Sequence, residues 1–212
     1  MDRIDAAGVV LAGGRSSRMG TSKAALAWQG STLLHRTVSV LAEVVGGPVV
    51  VVASPGQELP TLRSGTTIVE DPIEGLGPMQ GIATGLDAVA ADAWAAFVCS
   101  TDMPFLHPAF VRRVLGELAS NDVDVVLPLV RDHRQPLAAA YLTSLADTVR
   151  ELVAAGRLAT GMLFERCVVR EIDEAELLAD PELAKADPNL DSVININTPE
   201  DYAAAQGRLR SD

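Results

Sequence analysis

The chain has 212 residues, 48% of them hydrophobic, which is enough to bury a core and predicts one domain over 1–212. A formal net charge of -11 excludes a broad nucleic-acid-binding face, and no window reaches the roughly 20 uninterrupted apolar residues of a membrane span. Two cysteines far apart, Cys99 and Cys167, exclude a disulfide framework and a CxxC metal pair. With no basic-then-apolar leader at the N-terminus, the expected compartment is the reducing cytoplasm.

In chain order, Ala7 to Leu11 is a short apolar strand running straight into glycines. Over 31–44 the apolar residues Leu34, Val38 and Leu41 recur at helical spacing. The β-branched run from Pro48 to Ala53 predicts a buried strand, and 67–71 another. Gly75 to Gly81 reads as a loop opening a helix, with Pro78 suited to its first position and Ile82, Leu86 and Val89 on its apolar face. A buried strand follows at 95–99. Pro108 then starts a helix with Val111, Val114, Leu115 and Leu118 inward. Strands are expected at 124–128 and 137–141, and a helix at 143–155. Glu171 to Asp191 reads as the least regular stretch, a surface loop. Thr198-Pro-Glu-Asp201 carries a helix-start signature. Strands that are continuously apolar and alternate with helices predict a three-layer α/β/α fold, Rossmann-like, with a mostly parallel central sheet. Ligands of such a sheet bind beyond the carboxyl ends of its strands.

Charge is unevenly distributed. No Asp or Glu occurs over 6–42, where Arg15, Arg18, Lys23 and Arg36 stand, whereas 171–191 holds eight acids and one base, Lys185. The segment LAGGRSSRMGTSK, over 11–23, follows a strand with three glycines and three cations. Gly13 and Gly14 permit a turn whose backbone N–H groups form an anion nest. Arg15, Arg18 and Lys23 add full charges suited to a triphosphate. The segment fits neither G-x-x-x-x-G-K-[ST] nor G-x-G-x-x-G, so a P-loop NTPase and a dinucleotide-binding enzyme are disfavoured. Asp102, just past a buried strand, is either a hard oxygen ligand for Mg²⁺ or a cap for a helix starting near Pro104. Asp71 is either a strand-end turn acid or an acceptor for the N1–H and N2 amine of guanine.

The 11–23 segment resembles the signature loop of the small nucleotidyltransferases, and is most similar to that of the molybdenum cofactor guanylyltransferases. Val69-Glu-Asp71, Thr101-Asp-Met-Pro104 and Asn195-Ile-Asn-Thr-Pro-Glu-Asp201 agree with it in order and spacing. The resemblance implies Mg²⁺-dependent transfer of GMP from GTP to molybdopterin. Further partners would be molybdoenzymes or other cofactor-biosynthesis proteins, with no nucleic acid and no membrane. It implies that Leu11, Ala12 and Gly13 contact base and ribose, that Gly14 favours guanine, and that Asp71 lies near the base. Arg18 and Lys23 would hold phosphates, and Asp102 the metal. Asn195 and Asn197 would lie on a late loop closing over the metal and acceptor side. Arg131 and His133, in an R-D-H segment between two strands, are either acceptor contacts or solvated charges of a hairpin. The pattern departs from the family at Val52, where an Asn is common. The alternatives are a cytidylyltransferase acting on molybdopterin or another phosphorylated acceptor, and a non-catalytic protein that binds and delivers nucleotide or cofactor.

Overall fold

The computed structural model describes residues 2–13, 22–73 and 75–209. Strand β1 (Ala7–Leu11) precedes a two-stranded ribbon of β2 (Ala27–Trp28) and β3 (Ser31–Thr32), then α1 (Leu33–Val44). Next come β4 (Val49–Ala53), β5 (Thr66–Glu70), α2 (Pro78–Val89), β6 (Ala95–Ser100) and α3 (Pro108–Ser120). They are followed by β7 (Val125–Val130), β8 (His133–Arg134), β9 (Ala138–Leu142), α4 (Ala146–Ala154) and α5 (Thr160–Phe164). The chain continues through β10 (Val169–Ile172), α6 (Glu174–Leu178), α7 (Pro181–Ala186) and α8 (Pro199–Arg208).

The main sheet runs β10-β7-β9-β6-β1-β4-β5, with β8 paired to β7. β1 is parallel to both neighbours, as β4 is to β5 and β10 to β7, while β9 runs antiparallel between β6 and β7. Successive strand residues enter opposite faces, as the pleat requires. Val9, Val50, Val52 and Val98 pack with Ile82, Leu86 and Val89 of α2 and with Val149 and Leu152 of α4. Val10, Val51, Phe97 and Cys99 pack on the other side with Leu34, Val38 and Leu41 of α1 and with Val111, Val114 and Leu115 of α3. Each such buried side chain contributes roughly 1.5–3 kcal/mol over exposure, so two-sided burial explains the unbroken apolar runs. The three-layer, mostly parallel architecture is the one expected.

Three local expectations change. The helix expected over 31–44 begins at Leu33, because Ser31 and Thr32 pair with Trp28 and Ala27. Thr32 then caps it, its hydroxyl accepting from His35 N. The helix expected over 143–155 opens with a 3-10 turn at Thr143–Leu145 before α4. The expected surface loop at 171–191 is instead strand end, two short helices and a 3-10 turn (Asp191–Val193). Its acids do structural tasks: Asp173 closes a capping box on α6, Asp180 caps α7, and both oxygens of the buried Asp187 accept from Asp191 N and Ser192 N. An acid-rich count suggests solvation, but acids at helix starts are satisfied by free N–H groups. α5 had no clear periodic signal and was not expected.

Candidate active site

A cavity of about 460 Å³ opens at the carboxyl edge of the sheet. Its walls come from the ends of β1, β4 and β6, the start of α2, and Lys23, Asp71 and Leu137. Leu11, Ala12, Gly13, Lys23, Asp71 and Asp102, separated by up to 91 positions in sequence, all line it. Gly14, Arg15 and Arg18 lie outside the described residues.

The turn after β1 is tied to β4. Ala12 N and Gly13 N both donate to Val52 O, at 2.8 and 3.1 Å. The Gln57 amide donates to Ala12 O and Ser22 Oγ, and its Oε1 accepts from Ser54 N, so one side chain joins both ends of the signature loop. A Cβ on Gly13 would stand 2.9 Å from Ser54 Oγ and 3.1 Å from Ser54 N, so the backbone of 54 crowds any larger residue there. No motif in the sequence marks Ser54 and Gln57. Opposite, α2 opens at Gly77, whose φ of 72° suits glycine, with Pro78 at the first helical position as expected.

Asp71 follows β5, held by its backbone N–H donating to Ala53 O. Its Oδ1 is buried and has no hydrogen-bond partner among the described residues. Burial pushes this carboxyl above its ordinary value, and the nearby Thr84 hydroxyl offsets part of that. An acceptor buried without a donor costs about 1–3 kcal/mol, and the Asp71 side chain also lines the cavity. Val52 is buried beside it, packed towards α2, and offers the cavity only methyl groups.

Asp102 does not cap a helix. The helix starts at Pro108, and its cap is His107, whose Nδ1 accepts from Ala109 N. Asp102 instead faces the cavity: Oδ1 accepts from Ser100 Oγ at 2.5 Å and Oδ2 from Lys23 Nζ at 2.7 Å. Lys23 Nζ also donates to Asn197 Oδ1 at 2.9 Å. Three segments far apart in sequence thus meet at one ammonium. The turn holding Asp102 is itself fixed. Thr101 donates through N and Oγ1 to Leu11 O, Ile196 N donates to Asp102 O, and Arg36 donates to the Pro104 and Leu106 carbonyls. Arg36, counted among the local cations, is therefore a brace for this turn.

Asn197 is not part of the cavity lining but touches its edge through Lys23, and it is set by Asp201, whose carboxylate accepts from Asn197 N and Thr198 N in the capping box of α8. α8 docks through Tyr202 and Ala205 on Trp28, Leu33 and Ile196. Asn195, exposed, turns its amide back to Val193 O and does not line the cavity. Arg131 and His133 do not line it either. They sit on the β7–β8 hairpin, where Arg131 pairs with Asp191 and the Asn189 carbonyl and the His133 ring meets the Arg131 carbonyl. That hairpin leaves the same sheet edge, beside Leu137.

Asp102 fits a single hard cation. Among the described residues no cluster of three or more His, Cys, Asp or Glu exists that could hold a metal by itself. One carboxylate oxygen facing a cavity, already matched to a cation by Lys23, suits an ion that takes its remaining oxygens from water and phosphate.

A family model for the MobA-like NTP transferase domain matches residues 8–174. The chain belongs to this family. As a MobA-like NTP transferase it is a nucleotidyltransferase, and its relatives agree over most of the chain. A "Probable molybdenum cofactor guanylyltransferase" of Bacillus cereus is 34% identical over 209 residues, covering 97% of this chain and 98% of the relative. A protein of the same name from Mycobacterium tuberculosis is 44% identical over 159 residues, covering 73% and 77%. Among solved structures, molybdopterin-guanine dinucleotide biosynthesis protein A from Archaeoglobus fulgidus has the same fold, with a TM-score of 0.76 at 24% identity, covering 97% of this chain and all of that one. Among the described residues of this MobA-like chain, no helix is long and apolar enough to cross a membrane.

Proposed function

We propose that the chain transfers GMP from GTP to molybdopterin, releasing pyrophosphate and forming the molybdopterin guanine dinucleotide. The observation that carries this reading is the two-ended chemistry of one cavity. The half-buried Asp71 carboxylate stands in one wall, and the Lys23–Asp102 pair in another. The first end suits guanine, whose N1–H and N2 amine are adjacent donors. The second suits phosphates and a divalent cation. The relatives' names supply the acceptor.

Leu11, Ala12 and Gly13 form the floor under base and ribose. Lys23 leaves Asp102 to hold the triphosphate, joined by Arg18 of the signature loop and by the Gly14 backbone. Asp102 would hold Mg²⁺, which supplies charge neutralisation on the phosphate oxygens and the departing pyrophosphate. The acceptor's terminal phosphate oxygen forms a bond to the α-phosphorus as the bond to the β-phosphate oxygen breaks, and the electron pair leaves with pyrophosphate. That phosphate is an anion at neutral pH, so no general base is needed and the protein's work is positioning and charge stabilisation. The compartment expected for this chemistry is the cytoplasm.

The test offers the purified protein Mg²⁺, molybdopterin and equal GTP and CTP, and identifies the pterin product by mass. A guanine dinucleotide with matching pyrophosphate release supports the reading. A cytosine dinucleotide keeps the chemistry and overturns the base, with Val52 the first residue to reconsider. Nucleotide binding with no dinucleotide overturns the reaction.

A further inference from the structure

The two oxygens of Asp102 are held by unlike partners. Oδ1 accepts from the hydroxyl of Ser100, a neutral group two residues away at the end of β6. Oδ2 accepts from Lys23, a cation on a long stem reaching in from another segment. The ammonium can be exchanged for another cation, whereas the hydroxyl stands on a backbone fixed in register opposite Leu11 of β1 and stays beside Oδ1. The backbone around Asp102 is tied on both sides, through Thr101 to Leu11 and through Ile196. What remains free is rotation of the carboxylate, and the Ser100 hydroxyl removes it. A carboxylate pinned this way offers one oxygen to an incoming cation. Mg²⁺ and Mn²⁺ accept a single carboxylate oxygen within a shell of water and phosphate, whereas the larger Ca²⁺ takes more ligands and often both oxygens of a carboxylate.

We propose that Ser100 is a positioning residue: its hydroxyl fixes Asp102 so that Oδ2 alone exchanges Lys23 for a small divalent cation arriving with the nucleotide, and so disfavours calcium. The proposal rests on the reading of Asp102 as the metal-holding residue.

The test measures binding of Mn²⁺, with Ca²⁺ as competitor, to the full chain with an α,β-methylene analogue of GTP. Water-proton relaxation enhancement separates the ternary complex from Mn²⁺ on free nucleotide. Ser100→Ala is expected to weaken Mn²⁺ about 10- to 100-fold and to let Ca²⁺ compete better, with the thermal midpoint little changed. Ser100→Thr, which keeps the hydroxyl, is expected to restore both. A Ser100→Ala titration that superposes on the wild type in affinity and in calcium competition overturns the proposal. If the alanine variant does not fold, Ser100→Cys keeps the volume with a weaker donor and decides by the same two readouts. Asp102→Asn separates the levels. Unchanged Mn²⁺ binding in that variant removes the metal reading, whereas lost binding beside a wild-type-like Ser100→Ala removes only the role of Ser100.

Discussion

Lys23 donates to both Asp102 and Asn197. The Lys23–Asp102 pair is partly exposed, at 22% and 16%, so its loss should cost at most about 1 kcal/mol of stability. Under the proposed function its loss in catalysis is far larger, because Asp102 would hold the cation that offsets phosphate charge. Asp102→Ala is expected to lower kcat/KM by about 10³-fold or more at saturating Mg²⁺ while circular dichroism and thermal midpoint stay near wild type. Substantial residual turnover would remove Asp102 from the machinery. Asp71 makes the opposite trade. Burial raises its folded-state pKa above the unfolded one, so the charged carboxylate costs stability at neutral pH. That cost is removed as pH falls through the raised value and below the unfolded one. Guanine donors favour the charged form, so GTP affinity should fall over the same descent, which calorimetry across acidic buffers would read. Asp71→Asn should weaken GTP binding by about 10- to 100-fold yet raise the unfolding midpoint. Unaltered GTP affinity in that variant would take Asp71 away from the base.

Elements place these residues by close approach, and α2 is the clearest case. A Cβ on Gly85 would overlap Val9 Cγ1, and Val9 lies fully buried in the central strand β1. The helix can sit so near the sheet only because Gly85 has no side chain, and this brings Gly77, Pro78 and Gly81 to the cavity. Gly85→Ala would gain about 1 kcal/mol of helix propensity but lose about 1–3 kcal/mol to overpacking, so destabilisation should win. The same variant should weaken nucleotide binding, since the first turn of α2 moves with the helix. Thermal unfolding and a GTP titration on one sample would check both; an alanine variant of higher midpoint and unchanged affinity contradicts the argument. At the other end, α8 and its capping box hold Asn197 against Lys23. Residues beyond the stretch matched by the family model, which ends at 174, therefore contribute to the site.

At the scale of the molecule, one sheet links every part of the site. β1, β4 and β6 are adjacent and parallel, and both apolar clusters pack across all three strands. Such continuity predicts a single cooperative unfolding transition for 1–212, with heating curves by fluorescence and circular dichroism coinciding. GTP with Mg²⁺ at 100 times its Kd should add about 2.7 kcal/mol to that transition. Two separable transitions, one insensitive to GTP, would contradict a single domain. The net charge of -11 sets the background against which the signature loop works. An acidic molecule repels a triphosphate at long range, so its few local cations must be concentrated where the anion docks.

The strand–glycine–cation run over 11–23, the buried runs at 7–11, 48–53 and 95–99, and the Asp102 segment were legible because local rules decide them. Period, turn chemistry and charge are carried by neighbouring residues. The acidic stretch over 171–191 was misjudged because its acids find partners in the N–H groups of short helices that leave no periodic trace. Other features depended on contacts between distant segments. Those contacts engage Asp102 with Ser100 and Lys23 rather than with a helix start, and leave Asp71 Oδ1 buried without a donor among the described residues. They put Ser54 and Gln57 beside the signature loop and turn Asn195 away while Asn197 meets Lys23. Composition and spacing determined the fold class and the kind of ligand, because those follow from what each short segment can bury or bind. Which oxygen faces which donor is set by packing across the sheet, and only the tertiary structure could decide it.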